Sequence, residues 1–365
     1  MKNKYHYHMV IMIVLVYVAV IFNTGFRGFP KPTLKTLSNG VWGTQVEAFL
    51  EEKIGFHDSL FRLRSQIDLV FGEKSIRDVY ITDEMLLEKL DSQDAATIPQ
   101  SAALLNRFYE KYHIPTYFIL VPSASEIYED LLPLNAVKEN QRQLISETYA
   151  AVSTGIRYVD ACNILSSLKE EYIYYRNDTH WTSYGAYAVY QSAIHKMGFT
   201  AVPYNRYVVS HVRTDFRGDL YESTLYSEIK PDILDRYTYE NGAKIVSVTA
   251  HYADGSTEDR GTALYDESAL ESGDMYRFYL GKPSPMLEIR TDLENDKRLL
   301  IYKDDFADCM IPFLIQHYSE ICVVDLTESL EVTHRLADPA KFTQILFLSS
   351  MESWETLWLH AKETE

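Results

Sequence analysis

The sequence predicts an α/β fold, a mostly parallel sheet covered by helices on both faces, with a β-rich insertion and an N-terminal transmembrane helix. Three observations predict it. From Val79 onward, short runs of β-branched and aromatic residues alternate with longer segments of helical period, the pattern of strands joined by helical crossovers. Between about residues 203 and 294 that rhythm gives way to short alternating runs rich in Tyr, Thr, Asp and Gly. Near the N-terminus an uninterrupted apolar run extends from Met9 to Phe22.

Lys2 and Lys4 precede the apolar run, and ten of its positions are Val, Ile, Leu or Phe. Their insertion into a bilayer is worth roughly −3 to −6 kcal/mol. The exit, Asn23-Thr24-Gly25-Phe26, carries no small-x-small cleavage pattern. The expectation is an uncleaved signal anchor over residues 1–25: a single-pass plasma-membrane protein with an extracytoplasmic body. Cleavage and secretion form the alternative. Residues 26–78 are expected to hold a linker and N-terminal helices, with Val46, Phe49, Leu50, Ile54, Leu60, Leu63 and Ile67 at helical spacing around a break near Gly55.

Residues 79–202 form the first part of the expected domain. Strands are predicted at Val79–Ile81, Thr116–Val121 and Arg157–Val159, and helices at Gln100–Tyr112, Ala136–Val152 and Ser183–Met197, the last capped by Ser183 and closed by Gly198. Residues 203–294 are the insertion, with hairpins such as Lys244–Tyr252 that cover part of the site. Residues 295–365 complete the domain with strands at Leu299–Tyr302, Ile321–Asp325 and Ile345–Leu348 and a helix at Phe306–Tyr318.

The chain of 365 residues carries a formal charge of −17. That charge excludes nucleic acid as a partner, since phosphates are repelled, and excludes docking on anionic lipid through a basic patch. Three scattered cysteines, Cys162, Cys309 and Cys322, provide neither a disulfide framework nor a zinc site. No cofactor and no metal are expected, because no second histidine stands at ligand spacing from His180.

The chemistry concentrates in Arg176-Asn177-Asp178-Thr179-His180-Trp181-Thr182. A carboxylate two residues before a histidine orients the imidazole and fixes its tautomer, which is the acid–base half of a Ser-His-Asp triad. The plain alternative is a buried turn that caps the following helix. Four blocks accompany it: Tyr80-Ile81-Thr82 with Leu86-Leu87; Val121-Pro122-Ser123-Ala124-Ser125-Glu126-Ile127-Tyr128; Phe216-Arg217-Gly218-Asp219-Leu220-Tyr221; and Asp274-Met275-Tyr276-Arg277-Phe278-Tyr279-Leu280-Gly281.

In these blocks and their order the chain resembles the DHHW family, bacterial cell-surface proteins related to the SGNH-hydrolase-like O-acetyltransferases of exopolysaccharides such as alginate. Thr179 replaces the first histidine of the family signature. The resemblance implies an SGNH-hydrolase-like three-layer fold, with a nucleophilic serine in a later Lys-Asp-Ser-Tyr-Ala-Asn segment. Here that segment reads Lys303-Asp304-Asp305-Phe306-Ala307-Asp308, with Asp305 at the serine position and Asp308 at the asparagine. The family's Leu-Gly-Gly-Asn reads Leu280-Gly281-Lys282-Pro283, and proline has no N–H to offer an oxyanion.

The resemblance therefore implies catalytic positions at Asp178, His180 and Asp305, the last a degenerate nucleophile, with Trp181, Asp304, Tyr276 and Gly281 around the substrate. It implies a cell-surface polysaccharide as ligand and a membrane-bound O-acyltransferase as partner of a membrane-anchored accessory subunit. Aspartate holds no stable acyl ester, and loss of a serine nucleophile costs on the order of 10⁶ in turnover. The competing expectation is an active O-acetyltransferase or acetylesterase that uses Asp178, His180 and a displaced serine, with Ser123, Ser125, Ser349 and Ser350 as candidates at strand ends.

Overall fold

The computed structural model describes residues 57–89, 97–137, 140–326 and 337–354. The chain divides after Glu73 into two units. In the first, the described residues form a helix, His57–Val70, where Leu60, Leu63 and Ile67 recur at helical spacing as the sequence predicts.

The second unit is built on an eight-stranded sheet. In chain order the strands are β1 (Ser75–Ile76), β2 (Val79–Ile81), β3 (Leu86–Glu88), β4 (Thr116–Val121), β5 (Ile156–Val159), β6 (Val208–Phe216) and β7 (Asp232–Thr238). They continue with β8 (Ile245–His251), β9 (Thr257–Asp259), β10 (Met286–Thr291), β11 (Arg298–Lys303), β12 (Glu320–Asp325) and β13 (Gln344–Ser350). The large sheet runs β5-β4-β13-β11-β12-β10-β8-β9; its first five strands are parallel and the last three antiparallel. β1-β2-β3 form a small antiparallel sheet and β6-β7 an antiparallel pair.

Alternate residues of the parallel strands face opposite cores. Ile119, Ile301, Val323 and Leu348 pack on one side with helices Ala161–Ser167 and Ser183–Lys196. Phe118, Leu300, Val324 and Phe347 pack on the other with helices Thr97–Tyr112 and Gln141–Ala151. Burial on both faces explains why these strands read as continuous apolar runs, and it makes the three layers. The insertion does more than cover: β8, β9 and β10 extend the main sheet as its antiparallel edge.

Two local expectations differ. Helix Ser183–Lys196 is capped by Thr182, whose Oγ1 accepts from the Gly185 N–H at 3.2 Å, one residue before the expected cap. Its other end matches: Gly198, at φ +90°, closes a Schellman motif in which Phe199 N–H reaches the Ile194 carbonyl. The expected helix Phe306–Tyr318 is instead a 3-10 segment, Asp305–Met310, followed by a short α-helix, Ile311–Leu314. Pro312 lies at the start of that α-helix, where a ring that blocks continuous α-helix through it is tolerated.

The membrane expectation is corrected. Among the described residues no helix is long and apolar enough to cross a membrane, so the transmembrane helix of the expected fold class has no counterpart among them. The segment Met9 to Phe22 lies outside the described residues. The single-pass anchor, the plasma-membrane placement and the membrane-bound acyltransferase partner built on it are not carried forward.

Candidate active site

The site lies at the carboxyl ends of the parallel strands, the edge at which open α/β sheets bind ligands. Lys303 ends β11, Asp325 ends β12 and Ser350 ends β13. Asp178 and His180 arrive from the loop between helices Ala161–Ser167 and Ser183–Lys196. That loop doubles back on itself: Tyr174 and Trp181 form an antiparallel bridge, and the Thr182 N–H donates to the Ile173 carbonyl at 2.9 Å.

Two anchors fix the loop. Asp232, wholly buried, accepts from the backbone N–H groups of Arg176 (2.9 Å) and Asn177 (2.8 Å), from Asn177 Nδ2 and from the Tyr172 hydroxyl. Trp181 Nε1 donates to the Phe306 carbonyl at 2.6 Å, which ties the histidine loop to the turn bearing Asp305. Gly185 is required where the next helix starts, because a Cβ there would lie 2.5 Å from the Ile173 carbonyl oxygen, a backbone atom that cannot swing away.

The imidazole lies between two carboxylates. His180 Nδ1 is 2.6 Å from Asp178 Oδ1, which also accepts the His180 backbone N–H at 2.9 Å. Nε2 is 3.3 Å from Asp305 Oδ1, an ion pair without hydrogen-bond alignment. Burial penalises the imidazolium, yet Asp178 and Asp305 together outweigh that cost and hold its pKa well above the ordinary histidine range. Partial burial works against ionisation of Asp305, but the His180 charge and then Lys303 bring it down to about 2. Tyr276 stacks on the imidazole, ring centres 3.8 Å apart and planes within 16°. Phe306 lies tilted against the ring at 4.8 Å.

Asp178 Oδ2 accepts the Asp219 N–H at 3.3 Å, and Gly218 lies so close that a Cβ would come within 1.7 Å of this oxygen. Thr179 donates its N–H and its hydroxyl to the Asp219 carboxylate, at 3.0 and 2.9 Å. Burial and the Asp178 charge push Asp219 up to about 6. Deeper in, Lys303 Nζ lies 2.8 Å from Asp308 and 3.2 Å from Asp325. Burial pushes Asp308 up to about 7 against the pull of Lys303.

The predicted residues do not all face the cavity. Its volume is about 600 Å³, and Asp178, His180, Tyr276, Gly281 and Asp305 line it. Trp181 and Asp304 are each 0% exposed and absent from the lining, so neither touches a ligand here. Trp181 acts through its bond to Phe306. Asp304 accepts from the Ser350 N–H (2.7 Å) and hydroxyl (2.8 Å) and from the Ser349 hydroxyl (3.2 Å).

Those bonds engage the displaced-serine candidates away from His180. Ser349 and Ser350 are spent on Asp304, Ser125 Oγ donates to the Glu88 carbonyl at 2.7 Å, and Ser123 Oγ caps the turn at Glu126. Among the described residues no hydroxyl hydrogen-bonds to His180 Nε2. The oxyanion side is equally depleted: Gly281, at φ +74°, spends its N–H on the Arg277 carbonyl at 2.9 Å, and Pro283 has none. The lining contains no group of three or more ligating side chains placed for a metal among the described residues. The sequence reading did not assign Asp232, Asp219 or Arg217. The block from Phe216 to Tyr221 marked the latter two by position, whereas nothing local marked Asp232.

Fold and site together define an α/β protein with an oriented Asp-His pair and a carboxylate facing the imidazole. The chain belongs to the DHHW protein family, which it matches over residues 91–324. A DHHW family protein from Eubacterium siraeum is similar in structure at 20% identity and a TM-score of 0.64, with 78% of this chain and 97% of that one covered. PatB1 of Bacillus cereus with a sulfonyl adduct is similar at 19% identity and a TM-score of 0.62, over 76% of this chain and 97% of its own. Among curated proteins no sequence matches.

Proposed function

We propose that this chain is a DHHW protein of cell-envelope polysaccharide O-acetylation whose site recognises the glycan but no longer transfers the acyl group. One observation carries the reading: the group 3.3 Å from His180 Nε2 is the Asp305 carboxylate, and among the described residues no hydroxyl bonds to that nitrogen. Attack by a serine would need a neutral imidazole to take its proton. Here two carboxylates favour the imidazolium, and the oxyanion side offers neither the Gly281 nor a Pro283 N–H. A cavity of about 600 Å³ remains, within the range of small-ligand sites.

The test is paired. The full chain is assayed with a chromogenic acetyl ester and titrated with cell-wall glycan fragments by calorimetry. The expected result is no turnover beyond that of His180→Ala, together with glycan binding that His180→Ala weakens. His180-dependent turnover by the unaltered chain would establish the active-enzyme reading instead. Absence of binding to every glycan fragment would remove the recognition role.

A further inference from the structure

Asp305 and Asp308 stand where the family pattern has Ser and Asn, so this site has two carboxylates in place of two neutral groups. Most bases around the cavity are already engaged. Lys303 lies between Asp308 and Asp325, and Arg277 pairs with Asp274 at 2.6 Å. Arg260 donates to the carbonyls of Leu280 (3.0 Å) and Lys282 (2.8 Å), and Arg217 to Asn177 Oδ1 (3.3 Å) and the Ser227 carbonyl (3.2 Å). Lys282 Nζ lies over the Tyr252 ring, 5.7 Å from its centre. Asp219 and Glu222 also line the cavity, and among the described residues neither has an ion-pair partner. The Asp305 side chain is 60% exposed.

An independent feature points to an occupant. The His180 side chain is only 9% exposed and lines the cavity, yet beyond its ion pair with Asp305 its Nε2 makes no aligned hydrogen bond among the described residues. An imidazolium N–H in that position calls for an acceptor oxygen. The Asp305 carboxylate 3.3 Å away faces that imidazolium without hydrogen-bond alignment, and its exposed side chain can accept a further donor, a cation above all.

Resting on the glycan-recognition reading, we infer that the ligand of this site is a hexosamine unit with a free, protonated amine, whose hydroxyl accepts from His180 and whose ammonium meets Asp305 and Glu222. Vicinal hydroxyl and amine groups on one sugar ring match two protein groups 3.3 Å apart. An N-acetylated sugar brings to the same carboxylates a neutral amide, whose single N–H offsets less of their desolvation than an ammonium does. The chain's charge of −17 draws a polycationic glycan toward the cleft.

Calorimetric titration of the full chain with a β-1,4-linked glucosamine tetramer, its fully N-acetylated counterpart and tetralysine tests this. The free-amine sugar is expected to bind at least about tenfold tighter than the acetylated one and than tetralysine. Asp305→Asn and the exposed Glu222→Gln should each reduce its affinity severalfold, with unchanged thermal unfolding as the control for folding. Equal binding of tetralysine reveals surface charge alone and overturns the inference, as does indifference to both substitutions. Tighter binding of the acetylated sugar, still dependent on His180, overturns it while the glycan-recognition reading survives. Failure of every sugar removes both.

Discussion

Replacing Asp305 by serine restores the missing member of a Ser-His-Asp arrangement, and the structure sets how much activity returns. Loss of the nucleophile in a serine hydrolase costs on the order of 10⁶ in turnover. A missing oxyanion donor costs about 10² to 10³, and here the Gly281 N–H is committed to Arg277 while Pro283 has none. The expected gain is the quotient, roughly 10³ to 10⁴ over the unaltered chain. A serine oxygen is one bond nearer the backbone than Asp305 Oδ1, which widens the 3.3 Å gap to Nε2 and favours the lower figure. Removal of the carboxylate also releases His180 from one of its two counter-charges and leaves Asp178 to orient the ring. The assay is hydrolysis of a chromogenic acetyl ester by Asp305→Ser, with Asp305→Ser/His180→Ala as the control. No gain over the unaltered chain, or a gain that survives loss of His180, would refute the reasoning.

Three further outcomes follow from the same geometry. Asp232→Ala should destabilise by about 2–6 kcal/mol in urea unfolding, since it strands the N–H groups of Arg176, part-buried, and Asn177, buried, at about 1–3 kcal/mol each. Gly218→Ala puts a methyl 1.7 Å from Asp178 Oδ2; the forced shift should cost about 1–3 kcal/mol and move the His180 ring resonances, whereas unchanged resonances would show the contact to be relieved elsewhere. Asp308 has a folded-state pKa of about 7, above its ordinary 3.8, so the folded state binds the extra proton and stability falls as pH rises between about 4 and 7. Asp308→Asn should flatten that window by up to about 4 kcal/mol, read from unfolding midpoints against pH.

Much of this fold is legible in the chain because burial on both faces writes itself into composition. Tyr117–Val121, Leu299–Tyr302 and Ile345–Leu348 are apolar or aromatic throughout, and each proves to lie in a central parallel strand. The joining of β8, β9 and β10 to the same sheet was not legible, since an alternating strand carries no mark of the edge it will pair with. Site residues divide in the same way. Asp178 and His180 are two positions apart, so their contact is a local fact. The approach of Asp305 depends on a bond between Trp181 and Phe306 that spans 125 positions. Trp181 and Asp304 read as ligand contacts because sequence cannot distinguish an aromatic or acid that faces a cavity from one sealed beneath it.

The account stands on a histidine held in its charged form by carboxylates on both sides. Nitrogen-detected NMR of the His180 ring in the labelled full chain, at about pH 7 where an ordinary histidine is mostly neutral, measures that directly. Both ring nitrogens are expected to be protonated, with the neutral form appearing there only when Asp178 or Asp305 is removed. A neutral His180 ring at that pH in the unaltered protein would contradict it.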